Sequence, residues 1–186
     1  MDPTPTEATS LSHDWIPDSN FFHLLDTEDA RVAAAVKAAG CPDCGGRLDQ
    51  ANYPRKPRGG DLGAAGEIFE LRRSLCCARD GCRHRRTPPS LVFLGRRVYL
   101  AITVVMTTWR SVTVTSPPRR TVARWRAWLA ALRDTWWTEI RGRLWPAVEP
   151  GEVLPAVLID RLLPRLSLAD ALVMTLRMLT PASAAR

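Results

Sequence analysis

The chain has 186 residues with 26 Lys and Arg against 19 Asp and Glu, which gives a formal net charge of +7. This length allows one modest core, with or without a small metal-stapled unit, so we expect no large catalytic domain. The charge favours an acidic polymer or an anionic surface as partner. Only Lys37 and Lys56 are lysines, so nearly all of the positive charge comes from arginine. The arginine guanidinium can donate two hydrogen bonds to one phosphate group. Such a bias is also typical of GC-rich genomes.

We expect no signal peptide at the beginning of this sequence. Residues 1–20 contain acidic side chains and prolines but no basic residue, which predicts a mobile acidic tail and not a signal peptide. The longest apolar run, residues 98–106, is well short of the ~20 residues that span a bilayer. We therefore expect a cytoplasmic protein with no membrane partner. In that reducing compartment, clustered cysteines are metal ligands more often than disulfides.

A first helix is predicted in the segment 21–40. Acidic residues at its start complement the helix dipole from Asp26 onward, an alanine-rich stretch follows up to Ala39, and Gly40 can end it. The next unit, residues 41–95, holds all the cysteines. We predict it to be a small β zinc ribbon in an otherwise mainly α protein.

Two short cysteine motifs in this unit have the layout of a four-ligand metal site. The first is CPDCGG, with Cys41 and Cys44, and the second is CCARDGC, with Cys76, Cys77 and Cys82. The segment 67–77 between them is a strand candidate. Its alternation places Phe69, Leu71, Leu75 and Cys77 on the more apolar face, and Cys76 on the other.

These spacings predict one structural zinc ion. Zinc takes four thiolate or imidazole ligands in a tetrahedron, commonly from two short turns. The predicted ligands are Cys41, Cys44, Cys77 and Cys82, with Cys76 and His84 as substitutes. His84 lies among arginines, which favours a solvent-facing or phosphate-contacting role. Four protein ligands leave no open position for water activation, so the site should be a staple and not a catalyst.

The second half is predicted to be helical: residues 96–150 form one domain and residues 151–186 add two C-terminal helices. A buried helix is the simpler interpretation of 97–109, although its β-branched residues would also suit a strand. Thr121 can cap the next helix, which has an apolar stripe at spacings of three and four: Val122, Trp125, Leu129, Leu132, Trp136, Ile140 and Leu144. Near the C-terminus, Pro155 suits a first turn, Pro164 ends that helix, and Ser167 with Asp170 resembles a capping box.

Basic side chains near the cysteines and at the start of the long helix are candidate contacts to nucleic acid, because arginine and lysine bind phosphates. They are Arg55, Lys56, Arg58, Arg72, Arg73, Arg79, Arg83, Arg85, Arg86, Arg119, Arg120, Arg124 and Arg126. The alternative for the arginines of the long helix is that they form a solvated helix face and contact no partner. Tryptophans on the long helix could instead bind a protein partner or a second copy of the chain.

Together, CPDCGG, the segment RRSLCCARDGCRHRRTPPSLVFLGRRVYLA and the helix RRTVARWRAW resemble the zinc-ribbon plus helix-turn-helix proteins encoded with bacterial insertion sequences, over about residues 41–145. The resemblance implies DNA binding, with a helix-turn-helix-like domain in residues 96–150. Transposases of this type carry a catalytic acidic triad on an α/β domain, for which no room follows residue 145. We therefore expect a non-enzymatic accessory or regulatory protein of a mobile element, or else a protein-interaction module that binds a transposase or itself.

Overall fold

Five helices and two small antiparallel sheets make up the described part of the chain. The structure, a computed structural model, describes residues 17–55, 58, 71–94, 99–110, 117–140 and 154–184. In chain order the elements are α1 Ser19–Ala39, β1 Leu48–Gln50, β2 Tyr53–Pro54, β3 Leu71–Arg72, β4 Leu75–Cys77, β5 Arg85–Arg86, α2 Ala101–Arg110, α3 Arg119–Ile140, α4 Leu154–Leu162 and α5 Leu168–Ala184. The expectation of a mainly helical chain with a little β structure is confirmed at this level.

Helix α1 begins at Ser19, seven residues before Asp26, where the acidic residues predict its start. The Asp18 side chain caps it by accepting a hydrogen bond of 2.8 Å from the Phe21 amide. Phe21 and Phe22 are both buried, so the first turns are fixed by packing and not by the dipole. The helix ends as predicted at Gly40, whose φ is 77° and whose amide donates to the Lys37 carbonyl. The acidic tail was predicted over residues 1–20. Residues 1–16 lie outside the described residues, and residues 19–20 belong to α1 and not to a tail.

The strands form one ribbon with a single register. In the three-stranded sheet the order is β1-β4-β5, with Leu48 opposite Cys77, and in the two-stranded sheet β2 pairs with β3, with Tyr53 opposite Arg72. The two ladders are interrupted at Ser74, whose amide donates to the Asn52 side chain at 3.1 Å. The described part of the predicted strand, 71–77, thus forms both β3 and β4.

The face that this ribbon buries changes along its length. Leu75 and Cys77 are buried as predicted, but Leu71 is 53% exposed and Arg72 only 3%, so the predicted alternation is wrong there. Helix α1 covers the face of Leu75, whereas the segment 88–93 covers the face of Arg72. The Arg72 guanidinium donates to the Pro88 carbonyl at 2.6 Å and lies 5.9 Å from the Phe93 ring centroid.

The main hydrophobic core joins α1, the segment 91–94 and the four later helices. The helix predicted over 97–109 is α2, which begins at Ala101. The helix predicted from Thr121 is α3, which begins at Arg119, so Thr121 lies in its first turn and does not cap it. The Thr121 amide donates to the Pro118 carbonyl at 2.7 Å. Trp125 and Leu129 of the predicted stripe are buried. The side chains of Leu132, Trp136, Ile140 and Leu144 lie outside the described ones.

The C-terminal helices follow the sequence signals closely. Pro155 lies in the first turn of α4, and α4 ends at Leu162, two residues before Pro164. The Asp170 amide donates to the Ser167 hydroxyl at 3.2 Å at the start of α5. This core crosses the boundaries predicted near residues 40, 95 and 150. Across the described ranges, every helix is too short or too polar to cross a bilayer.

Candidate metal centre

Two turns on the ribbon bring four cysteine sulfurs together. The first turn follows α1 and holds Cys41 and Cys44, and the second joins β4 to β5 and holds Cys77 and Cys82. Cys41 and Cys77 are buried, while Cys44 and Cys82 are partly exposed. The ribbon register fixes their approach, because the pairing of Leu48 with Cys77 places the end of β4 beside the first turn.

The spacing of the sulfurs suits a tetrahedral metal ion. The Sγ atoms of Cys41 and Cys82 are 3.7 Å apart, those of Cys44 and Cys77 are 3.5 Å apart, and all four lie within 4.8 Å of one another. With metal–sulfur distances of about 2.3 Å, the edges of a tetrahedral zinc tetrathiolate are about 3.8 Å. The four side chains could therefore hold a metal ion, and four thiols are compatible with a structural zinc.

A backbone amide donates to one of the sulfurs, since the Arg79 amide lies 3.5 Å from the Cys77 Sγ. The Gly46 and His84 amides lower the pKa of Cys44 and of Cys82, the cysteines two positions before them. Such bonds stabilise thiolates. They also show why the longer second turn works, since its extra residues leave the amide two positions after each cysteine in place.

Gly46 has a steric role of its own at this centre. A Cβ atom built on it would lie 3.1 Å from the Cys77 Sγ and 3.3 Å from the Cys44 Sγ. The backbone also turns sharply here, because the Cys41 amide donates to the Gly46 carbonyl at 2.8 Å. The second glycine of CPDCGG therefore lets the chain pass directly beside the sulfurs.

As thiols, Cys44 and Cys82 would ionise very unequally. The pKa of Cys44 is lowered to about 7, first by the Gly46 amide and then by hydrogen bonds from Cys77 and Cys82. The pKa of Cys82 is raised to about 12: the His84 amide opposes this, but the neighbouring thiols and burial outweigh it. A second negative charge is thus costly beside the first, and a divalent cation would remove that cost.

Asp43 lies in the first turn, beside the sulfur cluster, and accepts hydrogen bonds from residues that follow the second turn. Its Oδ2 accepts from His84 Nδ1 and from Arg86 Nη2, each at 2.8 Å, and lies 3.8 Å from the Cys41 Sγ. The hydrogen bond from His84, followed by that from Arg86, lowers the pKa of Asp43. Sequence reasoning missed this residue, because its partners lie about 40 positions away.

The two substitute ligands lie outside the sulfur cluster. Cys76 is on the opposite face of β4, where its Sγ is 3.4 Å from the Arg83 carbonyl. His84 is directed to Asp43, with 65% of its side chain exposed. Asp43, Cys82 and His84 have ligand atoms within 4.8 Å of one another, but only Cys82 of these three belongs to the four-sulfur group.

The arginines predicted near the cysteines separate into two sets. Some are used within the protein: Arg72 is buried, Arg73 pairs with Asp26 at 2.6 Å, and Arg86 pairs with Asp43. We therefore remove Arg72 from the side chains expected to reach a partner. Four are exposed: Arg58, Arg79, Arg83 and Arg85. Arg55 is partly buried, with its guanidinium 5.1 Å from the Phe93 ring centroid, and Lys56 lies outside the described residues.

The second predicted basic surface is the start of α3. Arg119, Arg120, Arg124 and Arg126 are all exposed, while Trp125 between them is buried. Trp128 is partly buried against the main core. The described tryptophans of α3 thus contribute to packing, and the side chains of Trp136 and Trp137 lie outside the described ones. No protein-family model, curated protein or solved structure matches this chain.

Proposed function

We propose that this chain is a DNA-binding protein whose basic ribbon is held in shape by one structural zinc ion on Cys41, Cys44, Cys77 and Cys82. The observation that carries the proposal is the four-sulfur cluster inside a strongly basic module. In the segments 41–55 and 71–86, eight arginines stand against three aspartates. Two thiolate charges in excess of the zinc charge would still leave the module positive.

The fold gives this proposal its finer form. A three-stranded antiparallel sheet with both cysteine turns at the same end supports a zinc ribbon. Helices α2 and α3 support a helix-turn-helix-like unit in which α3 presents its arginines. We infer an accessory or regulatory role in a mobile genetic element, as a transposase-like DNA-binding protein. That role depends on the resemblance of the cysteine and arginine motifs.

A binding titration tests the DNA part. The zinc-loaded full chain would be titrated against a labelled 30-base-pair duplex by fluorescence anisotropy at several salt concentrations. Four exposed arginines near the cysteines and four on α3 would make up to about eight phosphate contacts. The logarithm of affinity should therefore fall with the logarithm of salt concentration with a slope of up to about −7. The charge variant Arg31→Gln on α1, whose side chain is 72% exposed, is the control.

The absence of duplex binding at low salt would contradict the DNA proposal. The chain would then be better explained as a protein-interaction module that binds a transposase or itself. A double variant, Arg124→Gln with Arg126→Gln, separates the two basic surfaces. If it binds as tightly as the wild type while variants near the cysteines do not, the ribbon alone binds DNA.

A further inference from the structure

The two cysteine turns share a left-handed residue directly after their last cysteine. Gly45 follows Cys44 and has φ 69°, and Arg83 follows Cys82 and has φ 46°. This left-handed conformation goes with the same backbone hydrogen bond in both turns, since the Gly45 amide donates to the Cys41 carbonyl at 2.7 Å and the Arg83 amide to the Arg79 carbonyl at 3.3 Å. Glycine adopts it freely, whereas a residue with a Cβ atom does so at a steric cost. Among the described residues, Arg83 alone has positive φ without being a glycine.

The local fold uses the backbone of Arg83 and not its side chain. Its amide donates to the Arg79 carbonyl at 3.3 Å, and its carbonyl accepts from the Cys76 Sγ. A glycine would supply both groups. The guanidinium is exposed and pairs with no carboxylate in the described ranges. The second turn therefore carries a steric cost for a side chain that it does not need.

Two further exposed guanidinium groups lie near Arg83, and each contacts an uncharged group of the protein. Arg79 is exposed, lies one turn earlier and donates to the Cys44 carbonyl at 3.2 Å. Arg85 is exposed and lies 5.8 Å from the Tyr53 ring centroid. Neither has an ion pair with a described acidic residue. The other described arginines close to the sulfurs are paired with aspartates: Arg47 with Asp49, and Arg86 with Asp43.

We propose that Arg83 occupies this glycine-type position so that its guanidinium, together with those of Arg79 and Arg85, contacts the phosphates of duplex DNA. This inference rests on the proposed function and narrows it to three arginines beside the second cysteine turn. Backbone strain at an exposed side chain is often found where that side chain acts on a ligand. Contacts to phosphates should not depend on the base sequence.

The test replaces Arg83 by the residue that its backbone prefers. Arg83→Gly should weaken binding to the duplex about eightfold at 0.1 M salt and reduce the salt slope by about 0.9, as expected for one lost phosphate contact. Two unrelated duplex sequences should be affected equally. Zinc retention against a chelator should be unchanged or stronger, and the melting temperature of the zinc-loaded protein should not fall. Arg83→Lys should keep most of the affinity, and Arg31→Gln should change it by about twofold or less.

Several results would overturn the inference. Wild-type affinity in Arg83→Gly would show that the guanidinium does not reach DNA. Loss of zinc, or a lower melting temperature, would show that the side chain serves the metal centre. An effect confined to one duplex sequence would contradict a phosphate contact. If the wild type itself fails to bind either duplex, the proposed function fails first, and the zinc and melting results still report whether Arg83 strains the turn.

Discussion

Adjacent cysteines on β4 provide a matched test of the metal centre. Cys77→Ser removes a sulfur that lies 3.5 Å from the Cys44 Sγ and is fully buried, whereas Cys76→Ser removes a half-buried thiol from the opposite face. We predict that the first variant loses zinc and the second retains about one ion per chain. The two substitutions change the same atom in neighbouring residues, so they differ mainly in the side of the ribbon that they affect.

The size of the effect follows from a comparison of the buried cluster with the zinc ion. Among the described residues of this module, the buried cluster contains two leucines besides Cys41 and Cys77, and burial of two leucines contributes about 3–6 kcal/mol. A structural zinc contributes about 10–16 kcal/mol of apparent binding free energy. Loss of zinc should therefore unfold the ribbon.

Metal content would be measured by mass spectrometry after dialysis against a chelator, and unfolding by limited proteolysis of the segment 41–86. In Cys77→Ser this segment should become sensitive to cleavage, while Cys76→Ser should remain as resistant as the wild type. Equal zinc content and equal cleavage in both variants would refute the four-cysteine assignment.

Three further outcomes are expected. Gly46→Ala should weaken zinc binding, since its Cβ would lie 3.1 Å from the Cys77 Sγ; an unchanged affinity in a chelator competition would contradict this. Leu129→Ala should lower the free energy of unfolding by about 2–5 kcal/mol in urea denaturation, because the Leu129 side chain is fully buried. Leu24→Ala, at a side chain that is 40% exposed, should lower it by about 0.5 kcal/mol or less. Equal effects of the two substitutions would contradict the burial of Leu129. Burial raises the pKa of Asp29, so the folded state binds its proton more tightly than the unfolded state, and this contribution to stability is lost as pH rises above about 4. Between pH 4 and 7 the melting temperature of Asp29→Asn should therefore rise relative to the wild type; a relative fall would refute the direction.

Local signals in the sequence were sufficient for most helix ends and for the four cysteines that cluster. The end of α1 at Gly40, the start of α5 at Ser167 and the choice of Cys77 over Cys76 for the sulfur cluster each depend on a few neighbouring residues. The predicted start of α1 was wrong because Phe21 and Phe22 pack in a core with residues that are distant in the sequence.

The exchanged burial of Leu71 and Arg72 was missed for the same kind of reason. Alternation along one strand assumes that one face is buried throughout, but two different segments cover this ribbon. The aspartate Asp29 on α1, which accepts from the Leu91 amide at 2.6 Å and from the Ser90 hydroxyl, holds the second of those segments in place. No local pattern encodes a pairing over about 60 residues.

Helix α1 connects the sulfur cluster to the main core. Its first turns pack Phe22 and Leu25 among the later helices, its middle holds the segment 88–93 through Asp29, and its last turns place Val36 against the cluster of Leu48 and Leu75. A rigid helix of 21 residues that touches both clusters leaves little freedom between them. Removal of zinc should therefore disrupt only the packing of the ribbon against the last turns of α1. The helical core should keep its secondary structure. The arginines around the cysteines should lose their fixed arrangement.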